Sequence, residues 1–353
     1  MSFLDKHPPS ERLSQFASDN TSGICPEALE AMTEANLGFS TPYGDDRWTQ
    51  KASDALREVF ETDCEIFFCF NGTAANGLAL SQLCHSYQGV IAHPVSHIQN
   101  DECGAPAFYS QGLSLLLGTG KNGKLSVDAV DSICSNALPL HAPQPKAISL
   151  TQSTELGTCY TTNELGQLSE AAKRNQLAFH IDGARFSNAC AALGRSPKNL
   201  THDLGVDVLS LGGTKNGLGL GEAVVFFTKG LALGFEYRCK QAGQLASKMR
   251  YLTAPWVKML QEDAWLKHAR HANQMAQLLE ERLSALPSFR LIRAREVNSV
   301  FYEIDRRVLE QLRKKGLVAH EFVEGGVRLM CSWQTTPDDI QLLVEEAQQA
   351  TKA

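Results

Sequence analysis

Leu209-Ser210-Leu211-Gly212-Gly213-Thr214-Lys215-Asn216-Gly217-Leu218-Gly219 carries an apolar strand straight into a glycine-rich turn that holds one lysine. Gly212, Gly213, Gly217, Gly219 and Gly221 let the backbone approach a ligand closely, and desolvation in such a place lowers an amine pKa. A lysine so placed suits Schiff-base chemistry, although composition alone also allows a surface lysine in a turn. A dinucleotide loop fits Gly217-x-Gly219-x-Gly221 poorly, because a strand follows where that fingerprint requires a helix.

Two segments upstream end strands in the same manner. Phe67-Phe68-Cys69-Phe70-Asn71-Gly72-Thr73-Ala74-Ala75-Asn76 puts Gly72 and Thr73 at a helix amino terminus, where unpaired N–H groups and the helix dipole suit a phosphate. An Asn-Gly turn needs no ligand, so alone this is weak. Phe179-His180-Ile181-Asp182-Gly183-Ala184-Arg185-Phe186 delivers a carboxylate and a guanidinium to a strand end, either as a structural ion pair or as a carboxylate that keeps a pyridinium nitrogen protonated. Asp182 and Lys215, on different strands of one sheet, fit opposite sides of one cofactor ring.

Apolar runs at 65–70, 147–151, 177–181, 206–211 and 223–227, with helical patterns at 74–84 and 163–175, are the grammar of a mainly parallel sheet flanked by helices. From about Trp256 a long helical pattern runs until Pro287. Strand-like 289–292 and 299–303, a helix over 308–315, a strand over 326–332 and a last helix capped by Thr336 with Pro337 at its first position predict a smaller C-terminal α+β domain. The expected division is an N-terminal arm over 1–20, a large domain over 21–257 and a small domain over 258–353, with the site in the cleft between the two domains.

Of 353 residues, 43% are hydrophobic and 20% charged, which excludes a disordered or fibrous chain. Asp plus Glu outnumber Lys plus Arg by 39 to 33, so no basic stripe for nucleic acid is expected. The apolar runs fall well short of the ~18 residues of a membrane span. The start MSFLDKHPPSERL lacks the build of a signal peptide, so a cytoplasmic protein is expected. Ten cysteines without a C-x-x-C pair give no zinc framework, and no metal ligand set is expected; most read as buried thiols, with Cys103 and Cys159 open to a functional role.

Together the residues resemble fold-type-I pyridoxal-phosphate enzymes, and among them the low-specificity L-threonine aldolases, closest to the pseudomonad variety. The likeness runs from Phe16-Ala-Ser-Asp-Asn through Tyr43-Gly-Asp-Asp, NGTAAN, HIDGAR and GGTKNG to Arg328-Leu-Met-Cys-Ser-Trp. It implies pyridoxal 5'-phosphate carried on Lys215, with Asp182 facing the pyridine nitrogen, Gly72 and Thr73 on the phosphate and His97 stacked over the ring. It further implies that Arg185 and Arg328 grip the substrate carboxylate and that Ser18 and Tyr43 line the pocket. Lys240 and Arg250 would reach a neighbour's phosphate in a homo-oligomer, a dimer or a tetramer built as a dimer of dimers. Taken without the resemblance, His97 and Tyr43 read as ordinary loop residues and 238–250 as a solvated basic helix.

The implied reaction is retro-aldol cleavage of L-threonine, L-allo-threonine and other β-hydroxy-α-amino acids such as β-phenylserine, giving glycine and an aldehyde. L rather than D selectivity follows from the resemblance alone. Many relatives carry a histidine in a Glu-Asn-Thr-His-Asn segment, where this chain has Gln152-Ser153-Thr154-Glu155-Leu156. The base is therefore Glu155, His97 or a bound water. The same scaffold also serves β-eliminating lyases, aminotransferases and amino-acid racemases, or a silent binding protein, which only the site can separate.

Overall fold

A computed structural model describes residues 8–261, 263–322 and 326–352. Residues 1–7 of the expected arm lie outside the described residues. Seven strands form the larger sheet: β1 (Glu65–Cys69), β2 (Gln88–Ala92), β3 (Ser114–Leu117), β4 (Gln144–Thr151), β5 (Ala178–Gly183), β6 (Val208–Gly212) and β7 (Glu222–Phe226). Their order is β1-β7-β6-β5-β4-β2-β3. β7 pairs antiparallel with both β1 and β6, and the pairs from β6 across to β3 are parallel. The mainly parallel sheet expected from the sequence is thus present, and β1, β2, β4, β5 and β6 all end at one edge.

β6 and β7 are buried along their whole length, which explains why they read as unbroken apolar runs rather than alternating ones. The helix Gly72–Leu83 is apolar on nearly every side and sits in the interior, its first turn capped by the Asn71 side chain accepting from the Ala74 N–H at 2.9 Å. The helix Thr162–Arg174 starts with a capping box between Thr161 and Glu164.

The second sheet, ordered β10-β11-β9-β8, holds β8 (Phe289–Leu291), β9 (Ser299–Ile304), β10 (His320–Phe322) and β11 (Gly326–Met330), all antiparallel. The helix Pro337–Lys352 covers it, with Thr336 and Asp339 exchanging side-chain and backbone bonds at its start. Leu13 and Phe16, from the segment read as an arm, are fully buried in this second core beside Leu279, Leu312 and Leu343.

Two expected helices differ. The long pattern is two helices, Arg250–Gln261 and Ala264–Leu283, separated where Asp263 takes a left-handed φ of 55°. The second of these joins the cores, with Ala264 and Trp265 in the first and Ala276 to Leu283 in the second. The run 238–250 is no single helix either: Phe235–Gln241 ends ahead of Gly243 at φ 72°, and the next helix begins at Arg250. Among the described residues no helix is long and apolar enough to cross a membrane.

Candidate active site

A cavity of about 310 Å³ opens at the edge where β1, β4, β5 and β6 end, the expected place for a ligand in an open α/β sheet. Gly72, Thr73, His97, Glu155, Asp182, Arg185 and Lys215 all line it. β7 runs the opposite way, so its first residue, Glu222, reaches the same wall.

Lys215 sits in a short turn just past β6. That turn needs its glycines, since a Cβ on Gly212 would lie 2.5 Å from the Ala184 carbonyl oxygen, and Gly217 adopts φ 108°. Burial, helped by the nearby Arg185 charge, pushes the Lys215 amine below its ordinary value. Asp182 is the last residue but one of β5, in register with Thr151 on one side and Ser210 on the other. Its carboxylate accepts from Asn76 Nδ2 at 2.9 Å and from the Ala184 N–H at 3.0 Å. Two residues earlier His180 is held between the Ser149 and Ser210 hydroxyls at 2.9 and 3.0 Å, and burial pushes it down to about 4, so it is neutral.

The structural pairing of Asp182 with Arg185 does not form. Arg185 instead donates through Nε and Nη2 to Asp19 at 2.7 and 2.9 Å, a bidentate pair that Asn298 extends at 3.0 Å. Burial acting alone would raise the Asp19 carboxyl; Arg185 overrides it and holds the group below its usual range. Ser18 stands beside this pair with its hydroxyl 3.4 Å from Asp19 Oδ1. Arg328, on β11, packs over the Phe322 ring at 4.9 Å, and burial with the neighbouring Arg185 charge lowers it to about 10.

Glu155 accepts from the His97 backbone N–H at 2.7 Å and from the Thr151 hydroxyl at 2.8 Å. Burial and the Asp182 charge raise it to about 7. Glu222, accepting from the Gly213 N–H at 2.7 Å, is raised to about 7 chiefly by burial. Against the pull of burial, the Glu102 carboxylate 2.8 Å from Nδ1 holds His97 above its ordinary value.

Ser18, Tyr43, Lys240, Arg250 and Arg328 do not line this cavity. Lys240 Nζ stands 4.2 Å from the centre of the half-exposed Tyr43 ring, and Tyr43 takes φ 58° as its N–H donates to the Ser247 carbonyl. All ten cysteines are free thiols; Cys103 is exposed, and burial pushes Cys159 to about 12. The sequence reading missed Asp19, Asn76, Glu102 and Glu222, of which the first two lie inside segments it did single out.

The β-eliminating lyase family matches residues 15–307. A low-specificity L-threonine aldolase of Pseudomonas aeruginosa is 52% identical over 338 residues, covering 96% of this chain and 98% of its own. Another, from a Pseudomonas species, is 51% identical and covers 92% and 94%. The solved structure of Leishmania major threonine aldolase superposes with a TM-score of 0.89 at 26% identity, covering 95% of this chain and 98% of that one. The chain belongs to the β-eliminating lyase family and, within it, to the low-specificity L-threonine aldolases. It is a carbon–carbon lyase on the fold-type-I scaffold.

Proposed function

We propose that the protein uses pyridoxal 5'-phosphate to cleave L-threonine, L-allo-threonine and bulkier β-hydroxy-α-amino acids such as β-phenylserine to glycine and an aldehyde. One observation carries the reading: Lys215, Asp182 and the Gly72–Thr73 helix start converge on one cavity in a chain so similar to threonine aldolases. The donor set fits the cofactor, with an amine of lowered pKa for its aldehyde, a carboxylate for its ring nitrogen and helix N–H groups for its phosphate. When bound, pyridoxal phosphate supplies an electron sink for the charge left on Cα as the Cα–Cβ bond breaks.

The protein's part is to hold and move protons. Asp182, kept in place by Asn76 and the Ala184 N–H, sustains the protonated ring nitrogen. Arg185, with Nη1 outside its pair with Asp19, and Arg328 orient the substrate carboxylate, with Ser18 beside them; Tyr43, outside this cavity and packed on Lys240, reaches the substrate side of a neighbouring subunit's site. His97, on the cavity wall, would cover the ring of the bound cofactor. Glu155, ionised above about pH 7, takes the β-hydroxyl proton as Cβ departs in the aldehyde, and a proton returned to Cα yields glycine. Recognition falls on the amino and carboxylate groups, so the β-substituent is free to vary. Lys240 and Arg250 reach the phosphate across a subunit boundary, making the active form a homo-oligomer, either a dimer or a homotetramer. A cytoplasmic location and the 1–20, 21–257 and 258–353 division go with this reading.

The test is to purify the protein with pyridoxal phosphate, record its visible absorption, and add L-threonine. Absorption by the bound cofactor, with glycine and acetaldehyde formed and both lost in Lys215→Ala, supports the reading. A 2-oxo acid in place of glycine moves the reaction to elimination or transamination; no cofactor absorption overturns the proposal.

A further inference from the structure

Glu102 is a buried side chain to which the mechanism above gives no part, and Asn76 enters it only as a support of Asp182; together they connect two groups that it uses. Glu102 is 3% exposed, and its Oε1 lies 2.8 Å from His97 Nδ1. Asn76, 2% exposed, brings Nδ2 to 2.8 Å from that same Oε1 and to 2.9 Å from Asp182 Oδ2. The chain His97–Glu102–Asn76–Asp182 therefore runs unbroken between the histidine proposed to cover the cofactor ring and the carboxylate proposed for its nitrogen. We infer that Glu102 and Asn76 are positioning residues: Glu102 fixes the tautomer and direction of the His97 ring, and Asn76 locks that pair to Asp182 as one unit. The inference rests on the function proposed above.

A carboxylate oxygen only accepts, so the proton between His97 and Glu102 belongs on Nδ1, whether the imidazole is neutral or charged. Asn76 Nδ2 has two hydrogens, and its two acceptors are the two carboxylates, one each; it stands as a donor between two like charges. His97, Glu102 and Asp182 each bring one side-chain N or O atom within 4.8 Å of the others', and the Asn76 amide already bonds both carboxylates there.

The arrangement is not one that packing alone would select. Glu102 Oε2 and Asn76 Oδ1 are buried with no hydrogen-bond partner, which costs stability, while every bond the two side chains make is directed along the His97–Asp182 line. The charged groups facing His97 are Glu102 and Asp182, which raise its pKa, and Lys215, which with burial opposes them; Glu155 bonds its backbone N–H.

The test is histidine 15N NMR on the cofactor-free protein, with the His97 signals assigned by their loss in His97→Asn. The wild-type ring, once neutral, is expected as the Nδ1–H tautomer. In Glu102→Gln, which keeps the acceptor and removes the charge, the His97 midpoint is expected to fall by about one pH unit or more. With cofactor bound, that variant should lose kcat by about tenfold with KM little changed, and Glu102→Asp should recover part of the loss. An Nε2–H tautomer in the wild type, or an unmoved midpoint in Glu102→Gln, overturns the inference. The tautomer is read in the unaltered protein, so a variant that fails to fold leaves the decision intact. Because that readout needs neither cofactor nor threonine, it also stands apart from success or failure of the aldolase reading.

Discussion

Asp19 and Glu155 are both carboxylates removed from bulk water, and both feel the charges of Arg185 and Arg328, yet they are pushed in opposite directions. Asp19 is sealed and gripped by the Arg185 fork with Asn298 behind it, so it stays ionised. Glu155 faces the cavity, its bonds coming from a hydroxyl and a backbone N–H instead of a cation, and it rises to about 7. A carboxylate held by a matched cation is a structural part. One held by neutral donors at a cavity wall keeps a proton affinity near working pH, which a general base requires.

The largest effect should come from breaking the gripped pair. Asp19→Ala leaves the Arg185 charge without its partner and should cost about 3–5 kcal/mol in urea unfolding. Glu155→Gln should leave the fold intact and lower kcat by about 10²–10³-fold, measured as acetaldehyde release from L-threonine. Equal destabilisation by the two changes would erase the distinction.

The pH dependence of stability sharpens it. A carboxyl at about 7 when folded and about 4.3 when unfolded binds its proton more tightly in the native state, so its contribution declines as pH rises through that window. Asp19, held low, does the reverse: it contributes above its unfolded value and loses that contribution as pH falls toward its folded one. The cofactor-free Glu155→Gln variant should therefore gain on the wild type by about 2–3 kcal/mol between pH 5 and pH 8. The smallest effect expected is in Arg328→Lys, where a point charge replaces a fork; KM for L-threonine should rise about tenfold with kcat nearly unchanged.

Much of this was legible in the chain. β5, β6 and β7 announce themselves because burial on both faces makes them apolar runs, β1 and the 147–150 part of β4 are apolar runs as well, and residues at or next to the ends of β1, β5 and β6 line the cavity. β2, with Gln88 and Gly89 in its five residues, carries little apolar pattern, and the edge strand β3 is apolar but only four residues long, too short for periodicity to tell strand from helix. The antiparallel sense of β7 is a property of the return loop 213–221, and with it the arrival of Glu222 at the site was hidden. Gly243 was a visible stop signal in the basic run, whereas nothing local marks the left-handed Asp263. Asp19 and Arg185 are 166 positions apart, and such a pairing is set by tertiary packing, beyond the reach of motif spacing.

The most direct measurement is the pH profile of kcat/KM for L-threonine between pH 5.5 and 9 in the wild type and in Glu155→Gln, covering about one and a half units or more on each side of the expected midpoint. The account predicts a wild-type acid limb with a midpoint near 7, rising with pH as Glu155 ionises, and its loss in the variant together with most of the rate. A limb that survives unchanged in Glu155→Gln would assign the proton transfer to another group and contradict the account.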